Sequence, residues 1–84
     1  MVADRFYPII QELLGFRNIE EVKERFNINL FRVQENKFKL VIEWNKNGKH
    51  YLSPYQITAD REELFAMKMA RAIKRTTDAY LSAP

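Results

Sequence analysis

The sequence of 84 residues contains no cysteine. A disulfide framework, a thiolate nucleophile and a cysteine-ligated metal site are therefore excluded, and a disulfide-free chain of this size is typical of a reducing compartment. No apolar run approaches the length of a membrane span, and the charged pair Asp4 and Arg5 is followed by no long apolar segment. We accordingly expect a cytoplasmic protein with neither a signal peptide nor a membrane span.

Glycine, histidine and serine are also scarce. Gly15 and Gly48 stand far apart, so the chain has no glycine-rich loop for a phosphate or a dinucleotide. His50 is the only histidine and the serines are Ser53 and Ser82, so a serine–histidine pair would be Ser53 with His50. Their spacing along a strand directs them to opposite faces. Glu43 is the only carboxylate inside a predicted strand and lacks a partner. We therefore expect a protein that is not an enzyme, with no catalytic residues, no cofactor and no metal site.

The remaining composition is that of a folded protein, because 46% of the residues are hydrophobic and 30% are charged. A chain of this length hides about 60–65% of its unfolded surface, which is enough for one modest core. We therefore predict a single small globular domain over residues 1–84. Fourteen basic residues against eleven acidic ones give a net charge of +3, a balance that permits binding to nucleic acid without requiring it.

Two short helices are predicted at the start of the chain. Apolar residues at helical spacing predict a helix at about 6–14, and Gly15 suits the left-handed residue that ends it. Asn18 followed by Glu21 has the spacing of a capping box, which predicts a second helix at about 19–26.

The apolar residues then alternate, which is typical of strands. Asn47-Gly48 is the sequence of a type I′ hairpin turn, and Glu35-Asn36 fits a second two-residue loop. Together they predict a three-stranded antiparallel meander with strands at about 28–34, 37–45 and 49–57. The cross-strand pairs predicted to face the core are Trp44 with Tyr51, Ile42 with Ser53, Leu40 with Tyr55, Phe38 with Ile57, Val33 with Phe38, and Phe31 with Leu40.

The last predicted element is a long helix at about 60–80, with Asp60 and Glu63 repeating the capping-box spacing at its start. The helix side that we expect to cover the sheet comprises Phe65, Met69, Ala72, Ile73, Thr76 and Tyr80. The predicted fold is therefore α+β in the order α-α-β-β-β-α, with the C-terminal helix packed on one sheet face. Trp44, Tyr51 and Tyr55 share that face, which favours a place in the core over a platform for stacking bases.

The other sheet face is predicted to be neither cleanly polar nor a core. Apolar residues inside a charged rim are typical of a partner-binding surface. The alternative is that the first helix folds over this face and leaves no exposed patch. The candidate partner-binding residues are Leu30, Arg32, Lys39, Val41 and Leu52.

We therefore predict a small interaction or regulatory module that binds a protein partner, or a second copy of itself, through this face. The alternative is a DNA- or RNA-binding module that uses basic residues of the sheet or of the last helix, although cations late in a helix also suit its dipole. The candidate residues for nucleic acid are Arg32, Lys37, Lys39, Lys46, Lys49, Lys68, Arg71, Lys74 and Arg75.

The order helix, three antiparallel strands, long helix resembles a double-stranded-RNA-binding domain in outline, from about Tyr7 to Tyr80. That family grips phosphates with lysines at the start of its last helix, whereas the matching stretch here, residues 60–63, carries three carboxylates. The meander and the long helix are also similar to the arm-binding domains of phage-type integrases, whose sheet enters a DNA groove, but the two N-terminal helices have no place in that pattern. Both resemblances concern element order and rest on no motif.

Overall fold

The computed structural model of the protein describes residues 3–84. It confirms the predicted α+β fold and its element order, with a short 3₁₀ helix (Ala3–Phe6) added before the first α-helix. No helix within the described residues combines the length and the apolar character needed to cross a membrane. The elements are α1 (Tyr7–Leu14), α2 (Ile19–Arg25), β1 (Phe26–Gln34), β2 (Lys37–Lys46), β3 (Lys49–Thr58) and α3 (Glu62–Ser82).

The signals at the ends of α1 and α2 act as predicted. Gly15 ends α1 in the left-handed region with φ of 72°, a conformation that costs glycine no steric strain. Asn18 caps α2, because its Oδ1 accepts a hydrogen bond from the Glu21 N–H at 3.0 Å.

The prediction that Asp60 caps the last helix was wrong. The residue at the N-cap is Arg61, and its side chain makes no capping hydrogen bond. The chain is still tied to the sheet at Ala59, whose N–H donates to the Asn36 carbonyl at 2.9 Å. Helical winding therefore begins only at Glu62, one turn before Phe65 enters the core.

The pairing of β2 with β3 agrees with the prediction at every position named above, from Phe38 opposite Ile57 to Trp44 opposite Tyr51. The turn explains the agreement, since Asn47 and Gly48 both have positive φ, at 53° and 78°. Two successive residues with positive φ are the mark of a type I′ turn, which fixes the register of a hairpin.

The predicted register of β1 against β2 was wrong by one residue. The loop is as expected, because Gln34 lies opposite Lys37, but the register then shifts between Arg32 and Gln34. The shift is a β-bulge at Val33, which inserts one extra residue into β1. As a result Leu30, not Phe31, lies opposite Leu40, and every side chain before the bulge points to the face opposite to the predicted one.

The helices cover one face of the sheet, which we call the inner face. Its residues Leu40 and Ile42 are fully buried against Ile10 of α1 and Met69 and Ile73 of α3 in one hydrophobic core. All six residues predicted for the buried side of the last helix are buried. Because α1 packs against α3, the alternative in which the first helix covers the opposite face was wrong.

Trp44 belongs to this core. Only 4% of its surface is exposed, its ring stacks on Tyr51 with centroids 4.1 Å apart, and its Nε1–H donates to Ser53 Oγ at 3.0 Å. The indole therefore has both an apolar surrounding and a polar partner, as a buried tryptophan requires.

Candidate functional site: the uncovered face of the sheet

The sheet face turned away from the helices contributes no fully buried residue to the core, and we call it the outer face. Strand parity and register assign its residues. From β1 they are Asn27, Asn29, Phe31 and, after the bulge, Gln34; from β2, Lys37, Lys39, Val41, Glu43 and Asn45; and from β3, His50, Leu52, Pro54, Gln56 and Thr58.

Apolar side chains cross the outer face on a diagonal. Phe31 lies opposite Lys39, Val41 lies between Asn29 and Pro54, and Leu52 lies opposite Glu43 on the third strand. Phe31 is 55% exposed and Leu52 is 60% exposed. Val33, at the bulge, adds another exposed apolar side chain beside Phe31. Large apolar side chains grouped on an uncovered sheet differ from single exposed leucines, which need no explanation.

The charges of the outer face lie at its two ends. Lys37 and Lys39 stand at the end of β2 next to Phe31, and both are exposed. Glu43 stands nearer the hairpin tip, where the Asn27 amide donates to its carboxylate at 3.5 Å. The positive charge on this face is therefore local and does not form one continuous stripe along the sheet.

The predicted partner-binding residues divide into two groups. Lys39, Val41 and Leu52 lie on the outer face as predicted. The placement of Leu30 and Arg32 there was wrong, because the bulge turns both toward the inner face. Leu30 packs against the core, and the Arg32 guanidinium lies over the Phe38 ring, 5.2 Å from its centroid.

The same bulge brings out two residues that the sequence placed in the core. Phe31 and Val33 were predicted to be buried, and both are more than half exposed. The sequence did contain a warning, because both sets of alternate residues in β1 include apolar side chains. Ile28 and Leu30 belong to one set, and Phe31 and Val33 belong to the other. A strand of that kind does not reveal which set faces the core.

Among the basic residues proposed for nucleic acid, three have partners inside the protein. Lys46 reaches the C-terminal end of α3 and donates from Nζ to the Tyr80 and Ala83 carbonyls at 2.6 Å and 2.8 Å. Lys68 donates to the Thr58 carbonyl, and Lys74 pairs with Asp78 at 2.9 Å.

The other basic candidates are differently placed. Lys37 and Lys39 lie on the outer face, Lys49 is exposed at the hairpin tip, and Arg71 and Arg75 are exposed on α3. No carboxylate of residues 3–84 lies within 4 Å of Arg71 or Arg75. The exposed basic candidates therefore form two groups, one on the sheet and one on α3.

A cleft of about 500 Å³ lies at the end of the sheet beside the start of α3. Its floor is apolar, with Phe38 and Phe65, but guanidinium and carboxylate groups alternate around it. Arg5 pairs with Glu62 at 3.3 Å, and Arg61 lies near Asp60 and Glu63, so part of the charge of the cleft is paired within the protein. Across the described part of the chain, no three His, Asp or Glu side chains converge as they would around a metal ion.

Comparison of this chain with protein-family models, with curated proteins and with solved structures finds no match. The resemblance in element order to RNA- and DNA-binding domains gains no support from them. The function is therefore argued from the outer face itself.

Proposed function

We propose that the protein is a small interaction module that binds a partner protein through the outer face. The observation that supports this proposal is the apolar diagonal of Phe31, Val41 and Leu52, in which Phe31 and Leu52 are exposed and Val41 is half-buried. Burying such side chains against a partner yields free energy in proportion to the apolar area removed from water. The inner face already supplies the core, so the protein does not need these side chains for folding.

The charges beside the diagonal indicate the chemistry of the partner. Lys37 and Lys39 lie next to Phe31, at one end of the outer face. A complementary surface has an apolar centre with carboxylates positioned against this end, because matched charges at the rim speed association and select the partner.

Val41→Glu tests the proposal at the centre of the outer face. A carboxylate at this position stays hydrated in the free protein, but it has to be desolvated when a partner covers it. We expect the variant to fold normally by circular dichroism and to lose the partner. His50→Glu adds the same charge at the tip of the outer face and is the matched control.

The measurement is a comparison of proteins retained by the immobilised parent, Val41→Glu and His50→Glu, followed by calorimetry with each purified candidate. A partner kept by His50→Glu and weakened at least tenfold by Val41→Glu supports the proposal. If Val41→Glu unfolds the protein, the position belongs to the core. If every bound protein is retained equally by both variants, the outer face is not the docking surface.

Nucleic-acid binding is the second candidate, and the observation that favours it is the set of exposed cations without a carboxylate partner. Fluorescence anisotropy with labelled single-stranded DNA, duplex DNA and RNA at about 50 and about 200 mM salt tests it, because phosphate-tracking proteins lose orders of magnitude in affinity over this range. Lys37→Ala/Lys39→Ala and Arg71→Ala/Arg75→Ala then distinguish the sheet from the helix. The absence of binding at low salt would reject this candidate.

A further inference from the structure

The two edges of the sheet differ in how their main-chain groups are occupied. The two-residue turn makes Lys46 and Lys49 a hydrogen-bonded pair, so alternate residues of β3 from His50 onward direct their N–H and C=O groups away from β2. We call these groups the β3 edge. Pro54 has no N–H to offer there, and Lys68 donates to the carbonyl of Thr58. The β3 edge is therefore partly closed to another strand.

On the opposite edge, a hydrogen bond occupies the main chain at the beginning of β1, and the 3₁₀ helix Ala3–Phe6 also packs against this strand. The Ile28 N–H donates to Tyr7 Oη at 2.9 Å, which shows that Ile28 directs its groups away from β2. Because the direction alternates along a strand, Leu30 and Arg32 direct theirs the same way, and we call these groups of Leu30 and Arg32 the β1 edge. Within residues 3–84, no side chain donates to or accepts from either residue's main chain.

The side chains beside the β1 edge are apolar and exposed. Phe31 is 55% exposed and Val33 is 59% exposed. Soluble proteins usually protect such an edge with charge, proline or a covering element, because an open apolar edge pairs with another strand. In this chain Pro54 and Lys68 protect the β3 edge, whereas β1 carries a bulge and Arg32 but no proline. The main-chain groups of Leu30 and Arg32 keep no side-chain partner within residues 3–84.

We propose that two copies of this chain pair along the β1 edge, antiparallel, about a two-fold axis that passes beside Phe31. In this register Leu30 lies opposite Arg32 of the partner copy, and the two reciprocal pairs exchange four main-chain hydrogen bonds. Phe31 lies opposite its own equivalent on the outer face, at a Cα separation of about 4.5 Å, where aromatic pairs stabilise a sheet. The product is one six-stranded sheet.

A second copy fits this edge because the pairing is self-complementary. Arg32 is the only charged residue of β1, and its guanidinium lies over its own Phe38 ring, so no row of like charges forms at the seam. An isologous contact also ends the assembly at two copies. The outward edges of the dimer are the two β3 edges, where Pro54 lacks an N–H and Lys68 occupies the Thr58 carbonyl.

The size of the outer face gives a second reason. Three strands of about ten residues form a face roughly 14 Å by 33 Å, or about 470 Å² of flat area. Specific interfaces bury about 800 Å² on each partner. Two outer faces joined edge to edge supply roughly 940 Å², which reaches that size. This second reason rests on the proposed docking function. The pairing itself uses main-chain groups of β1 and leaves the outer face uncovered, so it can be tested separately.

Sedimentation equilibrium over about 1–200 μM, the range in which weak interfaces dissociate, tests the proposal. We expect the mass to rise from 10.1 kDa toward twice that value. Arg32→Pro removes one N–H of the β1 edge without removing a bond to β2, and we expect at least a tenfold weaker dimer. Gln56→Pro makes the same change on the β3 edge and should dimerise like the parent. A parent that stays monomeric, or dimers that resist Arg32→Pro, would overturn the proposal.

Cysteine cross-linking gives a readout that does not depend on a proline variant folding. The parent has no cysteine, so Phe31→Cys introduces the only thiol, and the two-fold axis brings two copies of it within disulfide distance. Under mild oxidation with diamide we expect Phe31→Cys to form a covalent dimer at least tenfold faster than Leu52→Cys, which is similarly exposed. Equal rates would overturn the β1 pairing, and faster cross-linking of Leu52→Cys would indicate dimers packed face to face. Val41→Glu should leave both results unchanged, which separates this proposal from the docking function.

Discussion

The inner and outer faces of the sheet are built from alternate residues of the same three strands, yet the rest of the chain treats them oppositely. Ile42 is fully buried under the helices, whereas its neighbour Val41 on the outer face is only half-buried. The inner face also contains its own polar pair, because the Trp44 Nε1–H donates to Ser53 Oγ. The core is therefore built from one set of alternate residues, and the adjoining set is left for the docking function that we propose.

The largest expected effect comes from truncating the inner face. Ile42→Ala should lower the free energy of unfolding by about 2–5 kcal/mol, because it removes buried methyl groups and leaves a cavity. Val41→Ala, one residue away, should cost less than about 1 kcal/mol. Urea denaturation followed by circular dichroism measures both values. Equal losses would mean that the outer face is covered in solution.

The polar pair of the inner face should give a smaller effect. Ser53→Ala removes the acceptor of the Trp44 Nε1–H, and a buried donor without a partner costs about 1–3 kcal/mol. Leu52→Ser changes the adjacent residue, which is exposed on the outer face, and should alter stability by no more than about 0.5 kcal/mol. Trp44 is the only tryptophan, so its fluorescence reports both unfolding curves. A stable Ser53→Ala would show that water or another group replaces the hydroxyl.

The turn between β2 and β3 sets the register of these strands and so decides which residues lie on each face. The third prediction concerns its glycine. Gly48 has φ of 78°, which a side chain with Cβ adopts at a cost of about 1–2 kcal/mol. Gly48→Ala should lower the melting temperature by several degrees, whereas Lys49→Ala, next in the chain and exposed, should leave it almost unchanged. Scanning calorimetry measures the difference. If Gly48→Ala melts like the parent, the turn does not need its left-handed residue.

The sequence was sufficient for most of the fold because its turn and cap signals act locally. Asn47-Gly48 determined the register of β2 and β3, and with it the correct placement of Lys39, Val41 and Leu52. Gly15 and Asn18 likewise marked helix ends that the structure has. In each case one or two residues set the backbone conformation without help from distant parts of the chain.

The register of β1, which was predicted wrongly, depends on contacts between residues that are far apart in the chain. Nothing in the residues around Val33 marks a bulge, since no glycine stands there, and β1 is apolar on both parities. What selects the register is the packing of Ile28 and Leu30 beneath the helices together with the bond from Ile28 to Tyr7. The bulge therefore decided the outer face, which has Phe31 in place of Leu30 and Arg32, and it leaves Val33 exposed at the bulge itself.

The bonds from Lys46 to the end of α3 have a consequence for the folding pathway. They join residues 34 and 37 positions apart, whereas the hairpin of β2 and β3 closes between neighbours in the chain. Contacts between distant segments carry a larger loop-closure cost and tend to form after local ones. Lys46→Met should therefore accelerate unfolding while leaving the folding rate nearly unchanged in stopped-flow measurements. The C-terminal turn of α3 would then be the last part of the protein to fold and the first to unfold.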